Sequence, residues 1–162
     1  MIGVVGAKVA VEPEASLAAS SDIDFVAREE YDFTIVDISK GMPLADVDGI
    51  TWRAPGGEFI RNRDRAVIED MDVLPMVSTV YKRDLDTSKY YGGYQRHPYI
   101  SFYTGRGCKS RCTFCLWPQT IGGHRYRTRS AASVVEEIAR AQKHFPQVKE
   151  FFFDDDTFTD DL

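Results

Sequence analysis

The sequence predicts an α/β chain of two unlike parts joined by a connector. Three observations carry this. Residues 1–64 alternate short apolar, β-branched runs with helical stretches and finish in a hairpin signature. Residues 99–154 read as strand, loop, helix and strand, the building block of parallel sheets and barrels. Between them, residues 65–98 mix charge, proline and tyrosine with little periodicity, and a loop of that length is uncommon inside one compact domain.

The elements come in this order. Ile2–Val5 is a β-branched run ended by Gly6 and predicts a buried strand. Pro13 opens a helix to about Ser20, because a first helical turn has no use for the N–H that proline lacks. Asp22–Ala27 predicts a second strand, and a helix runs from about Glu30 to Lys40, closed by Gly41. Gly49–Arg53 and Glu58–Asn62 flank Ala54-Pro-Gly-Gly57, a hairpin with its turn at Pro55–Gly57. That order is the second half of an open, doubly wound α/β sheet. Ile68–Pro75 reads as an ordered connector and the stretch to Pro98 as a linker packed on the next domain.

Tyr99–Thr104 predicts the next strand, and a long loop leaves its end. Ser130 is an N-cap, and Val134, Ile138, Ala141 and Phe145 share one face of a helix. Glu136 and Arg140 pair on its outer side, Pro146 stops it, and Lys149–Asp154 forms the closing strand.

Composition narrows the function. Of the 162 residues, 43% are hydrophobic and 12% aromatic, enough for a packed core. The net charge of −5 comes with both signs interspersed, so there is no basic face and nucleic acid is not an expected partner. No run of about 18 apolar residues predicts a membrane-spanning helix. The N-terminus lacks the basic start and cleavage site of a signal peptide. An odd number of cysteines argues for reduced thiols and a cytoplasmic setting.

The chemistry is concentrated in the loop. Cys108, Cys112 and Cys115 are the only cysteines, in C-x3-C-x2-C spacing. A cubane iron–sulfur cluster has about four irons, each taking one thiolate or a substitute. A loop that supplies three leaves one iron open to a ligand. The rival is a structural zinc completed by His97, His124 or His144, but such sites pair their ligands in C-x2-C and H-x3-H modules. A ferredoxin-type cluster would need a fourth cysteine.

The loop leaves the C-terminal end of its strand, the active face of β/α barrels. Asp154, Asp155 and Asp156 end the second strand at that same face. Either they form a solvated turn, where carboxylates are favoured ahead of a helix, or they face a cationic ligand. Arg125, Arg127 and Arg129 alternate and read first as a charged solvent face, second as an anion contact. His97 and His124 read as ordinary loop histidines. Trp117, Tyr90, Tyr91 and Tyr94 read as interdomain packing rather than a substrate platform.

The cysteine segment resembles the cluster loop of the radical S-adenosylmethionine (SAM) enzymes, with Phe114 matching the aromatic that often precedes their third cysteine. Gly6-Ala-Lys-Val-Ala, Ile23–Glu30 and Ile68–Pro75 resemble the tail of the cobalamin-binding domain that precedes the barrel in the cobalamin-associated class. Cys115-Leu-Trp-Pro118 and Arg127-Thr-Arg-Ser130 are similar to that class too, and within it the chain most resembles the hopanoid-biosynthesis-associated proteins.

The resemblance implies residues 1–64 as the C-terminal portion of a Rossmann-like cobalamin-binding domain, 65–98 as linker, and 99–162 as the start of a radical SAM partial barrel. It implies a [4Fe–4S] cluster on the three cysteines and SAM as cofactors, with cobalamin in the parent protein. Phe114 and Asp154–Asp156 would be the cofactor-contacting residues, one or two of the carboxylates meeting the SAM ammonium where the family usually carries a Gly-Gly-Glu-like segment. The implied reaction is reductive cleavage of SAM to a 5′-deoxyadenosyl radical acting on a small-molecule or hopanoid lipid substrate, with peripheral membrane attachment for a lipid. A flavodoxin or ferredoxin would supply electrons. Cobalamin-dependent methyl transfer is the same-class alternative, and a non-catalytic metal module the alternative of another class. The first half of a cobalamin domain and the later barrel strands are absent, so the chain resembles a fragment, expected to be inactive in isolation.

Overall fold

The computed structural model describes residues 1–159, without the side chains of residues 119 and 121. These divide into two units: Met1–Ile68 with Lys109–Arg125, and Glu69–Cys108 with the residues from Tyr126 onward.

The first unit is built on a four-stranded sheet of β1 (Gly3–Val4), β2 (Phe25–Ala27), β3 (Ile50–Arg53) and β4 (Phe59–Arg61), paired in that order. β1 and β2 are parallel, and the other pairs are antiparallel. β2 is buried along its length. β1 is exposed to half-buried, against the expectation of a buried strand, because it lies at the sheet edge with a neighbour on one side only. The segment after it forms a short helix, α1 (Ala7–Val11), that the sequence did not announce. The next two helices fall as predicted: α2 (Pro13–Ala19), with Pro13 in its first turn, and α3 (Asp32–Ser39). α3 ends as Gly41 turns to φ +82, so that the Gly41 N–H reaches Ile38 O and the Met42 N–H reaches Asp37 O. Both bonds satisfy carbonyls that a helix end leaves unpaired. The core packs Phe25, Ala27, Val47 and Ile50 with Tyr31, Ile38, Leu44 and Trp52.

Buried charge ties the chain to this unit as far as residue 68. Arg28 is 2% exposed and donates to Thr51 Oγ1 and Asn62 O, each at 2.8 Å, and to the Asp64 carboxylate. Glu30, equally buried, accepts the Ile68 N–H at 2.8 Å. Between these two inward side chains Glu29 takes φ +52.

The second unit contains the β-loop-α-β module. β5 (Tyr99–Phe102) and β8 (Glu150–Phe153), the first and last of its strands, run parallel, from Tyr99 opposite Glu150 to Phe102 opposite Phe153. α5 (Ala131–His144) connects to β8 and turns its predicted face inward, so that Ala141 and Phe145 form the core with Ile100 and Phe102. The two-residue strands β6 (Gly105–Arg106) and β7 (Arg127–Thr128) pair antiparallel and close the base of the cysteine loop. Where a linker was expected, α4 (Val77–Asp84) adds Val77 and Tyr81 to this core.

Ser130 caps α5 as its sequence position predicts, its Oγ accepting the Ser133 N–H at 3.1 Å. Ser130→Ala is expected to destabilise the second unit by about 1 kcal/mol, the usual loss of a serine N-cap. Urea unfolding checks this, and an unchanged midpoint would show that the cap is redundant.

Candidate functional site

The cysteine loop begins where β5 ends. Phe102 O accepts the Asp154 N–H at 2.8 Å, continuing the parallel ladder by one step and bringing the ends of β5 and β8 level. Beyond that step the two strand ends exchange polar contacts. Asp155 accepts the Thr104 N–H at 2.7 Å and the Gly105 N–H at 3.0 Å on Oδ1, and the Thr104 hydroxyl on Oδ2. Asp156 Oδ2 accepts the Gly107 N–H at 3.2 Å. Asp154, which is exposed, keeps its side chain at the surface.

The three aspartates are therefore not equivalent, which sequence could not reveal. Asp155 has both carboxylate oxygens engaged by the stem of the cysteine loop, and Asp156 has one. Tyr103 joins Asp154 at this end. Tyr103 is 46% exposed, and its partial burial raises the phenol from its ordinary value, with the Asp154 carboxylate adding to the rise and Arg106 opposing it. Tyr103 is a site residue that sequence reasoning misses, since it looks like no more than the end of a strand. Its one signal is position, a single residue beyond the β5 ladder.

All three cysteines are free thiols; Cys112 is exposed, Cys108 and Cys115 half-buried. The Cys115 N–H donates to Cys112 O at 3.1 Å, so one tight turn carries both. Phe114, on that turn, is 91% exposed. Among the described residues, no group of three or more His, Cys, Asp or Glu side chains is arranged to hold a metal ion. The donor set nevertheless fits a [4Fe–4S] cluster: three soft thiols on one exposed loop, with no fourth cysteine in the sequence.

The histidines offered for zinc have other surroundings. A ring nitrogen of His124 lies 3.1 Å from Ser110 O within the loop, His97 stacks on Tyr91 at 4.1 Å, and His144 meets Phe145 edge-on. Two further expectations change. The alternating arginines do not form one solvent face: Arg125 is exposed, but Arg127 is 5% exposed, and Arg129 bonds Glu137, Ser133 and Tyr103 O. Nor are the tyrosines and Trp117 buried packing residues. Tyr94 is fully exposed and Tyr90, Tyr91 and Trp117 are more than half exposed.

A cavity of about 210 Å³ lies among Tyr81, Leu85, Thr87, Tyr90, Tyr99, Ile100 and Ser101. Its lining carries no carboxylate, thiol or imidazole, and ligand pockets for drug-sized molecules usually exceed about 300 Å³.

No family model matches the chain. A cytidylyl-2-hydroxyethylphosphonate methyltransferase from Streptomyces wedmorensis is 29% identical over an alignment of 142 residues, which takes in 72% of this chain and 26% of the relative. Among solved structures, the cobalamin-dependent SAM radical enzyme OxsB with aqua-cobalamin bound superimposes on 99% of the chain with a TM-score of 0.67 and 23% identity. The radical SAM methyltransferase TsrM from Kitasatospora setae, with cobalamin and a [4Fe–4S] cluster bound, covers 96% with a TM-score of 0.62 and 18% identity. The chain spans 22% of OxsB and 30% of TsrM, and about a quarter of the curated relative. These likenesses show the fold: an α/β chain matching, over nearly its whole length, a segment of cobalamin-dependent radical SAM enzymes. No helix of the described residues is long and apolar enough to cross a membrane.

Proposed function

We propose that this chain is part of a cobalamin-dependent radical SAM enzyme and that the reaction it serves is methyl transfer. The observation that carries the proposal is the set of three free thiols on a single loop that follows β5 in the chain, with no other cysteine in the sequence. Its support is the fold shared with OxsB and TsrM and the methyltransferase name of the curated relative.

In this proposal Cys108, Cys112 and Cys115 hold a [4Fe–4S] cluster whose remaining iron takes SAM. When bound, the cluster supplies the electron for reductive SAM cleavage and cobalamin supplies a methyl carrier. The protein's part is placement. Asp154, exposed beside Tyr103 and the only one of the three aspartates with no carboxylate bond to the loop stem among the described residues, is the carboxylate that meets the SAM ammonium. Phe114 sits ready to cover the cofactor from the Cys112–Cys115 turn. A low-potential donor of the flavodoxin or ferredoxin kind would reduce the cluster.

Methyl transfer displaces hydrogen abstraction on a hopanoid side chain as the leading reading, because two of the similar proteins are methyltransferases by name. Their names also favour a small-molecule substrate: TsrM is seen with tryptophan, and none is described as acting on a lipid. Methyl-labelled SAM tests the reaction class in a full-length protein carrying this segment. Label passing to cobalamin and then to product supports methyl transfer. 5′-Deoxyadenosine formed with all the label retained in methionine would return the chemistry to hydrogen abstraction.

Asp154→Asn is expected to weaken SAM binding to the reconstituted chain roughly tenfold to a hundredfold, the loss of one charge-assisted contact, with the cluster retained. Equilibrium dialysis reads it, and unchanged affinity would make Asp154 a solvated turn residue.

A further inference from the structure

The stem that leads into the cysteine loop is held from two directions. On one side the backbone of Thr104 accepts from the Arg129 N–H at 2.8 Å, and β6 pairs with β7. That approach is close: a Cβ on Gly105 would lie 2.8 Å from Arg127 O, so only glycine fits against β7 at this point of the stem. On the other side stand the carboxylates of Asp155 and Asp156, which accept three backbone N–H groups, those of Thr104, Gly105 and Gly107. Thr104 is 9% exposed and Gly105 is buried, so their N–H groups have little access to water if the carboxylate leaves. Cys108 is the next residue after Gly107.

Cys112 and Cys115 depend on none of this. Their relative placement is local, fixed by the turn in which the Cys115 N–H meets Cys112 O. Among the described residues, no such bond ties Cys108 to a second cysteine. Its backbone is delivered by the stem, the stem by the carboxylates, and the carboxylates by the parallel register of β8 on β5.

We propose that Asp155, assisted by Asp156, is a positioning residue for the thiol loop: it anchors the backbone that presents Cys108, and so governs that thiol separately from Cys112 and Cys115. The consequence for cofactor assembly rests on the [4Fe–4S] reading above; the anchoring itself does not. The acidic run at the end of β8 then has divided roles, one carboxylate left for a ligand and two holding the first cysteine's approach.

The test uses the metal-free reduced chain and the rate of iodoacetamide labelling at each cysteine, read by mass spectrometry. Asp155→Ala removes every acceptor and is expected to raise labelling of Cys108 about fivefold, as expected for the loss of hydrogen bonds that hold the stem closed, with Cys112 and Cys115 unchanged. Asp155→Asn keeps an acceptor oxygen for the Thr104 and Gly105 N–H groups, and its amide can donate to the Thr104 hydroxyl, so it is expected to restore the wild-type ratio. Anaerobic reconstitution gives the second readout, in which Asp155→Ala takes up less iron than the about four per chain of a full cluster while Asp155→Asn matches wild type. An unchanged Cys108 ratio in Asp155→Ala overturns the proposal, as does an equal rise at all three cysteines, which would mean general loosening. A wild-type chain that takes up no iron overturns the cluster reading alone, and the labelling ratio still decides the anchor.

Discussion

Replacing any one of Cys108, Cys112 or Cys115 with alanine is expected to abolish the [4Fe–4S] cluster on anaerobic reconstitution, an all-or-none loss rather than a graded one. The sequence has no fourth cysteine to stand in for a lost ligand. A cluster already short of one protein thiolate would be left with two, too few to retain a cubane against loss of iron. Iron and sulfide analysis with the thiolate-to-iron absorption band checks this. Alanine variants that keep full iron content would show that the thiols are not its ligands. Zinc retained at about one per chain, with no iron uptake, would support the structural zinc site instead.

The second large effect concerns stability. Glu137 is 1% exposed, on the inward side of α5. Its Oε1 accepts the Ser78 N–H at the start of α4 at 2.9 Å, and its Oε2 takes the Arg129 guanidinium. Arg129 is itself 9% exposed and reaches Tyr103 O, in the approach to the cysteine loop. Glu137→Ala would leave a nearly buried guanidinium without its countercharge and the Ser78 N–H without its acceptor. Breaking a buried pair by removing one partner costs about 3–5 kcal/mol, a large share of the roughly 5–15 kcal/mol that stabilises a typical domain, so this substitution is expected to destabilise the second unit by about that amount. Guanidinium unfolding followed by circular dichroism tests it. A loss below about 1 kcal/mol would mean that water reaches the pair and screens it as on a surface. Glu137→Gln, which still accepts from Ser78, is expected to fall between.

Sequence legibility followed local chemistry. Pro13, Gly41, the Ala54–Gly57 turn and Ser130 each leave the backbone few alternatives, and each lies where the pattern placed it. The parallel pairing of β5 and β8 was readable because two apolar runs flank a helix of clear period. α4 was not readable, since Val77 and Tyr81 are its few inward apolar residues among serine, threonine and charge. The arginines misled for a related reason. Alternation marks which side chains share a face, but not whether a buried carboxylate waits there, and Glu137 lies eight residues from Arg129 along the chain. The cysteine loop stands out in the sequence by its spacing. The unequal roles of Asp154, Asp155 and Asp156 were not, because they depend on which loop amides the register of β8 brings within reach.

In the proposed enzyme one loop supplies three thiolates and leaves one iron open to SAM. The most direct measurement is the electron paramagnetic resonance spectrum of the anaerobically reconstituted, dithionite-reduced chain with and without SAM carrying a labelled carboxylate. The prediction is a reduced [4Fe–4S] signal that shifts on SAM addition and acquires hyperfine coupling to the label. A well-formed cluster whose spectrum does not change with saturating SAM would contradict it, leaving an iron–sulfur module without the open site that the proposed chemistry requires.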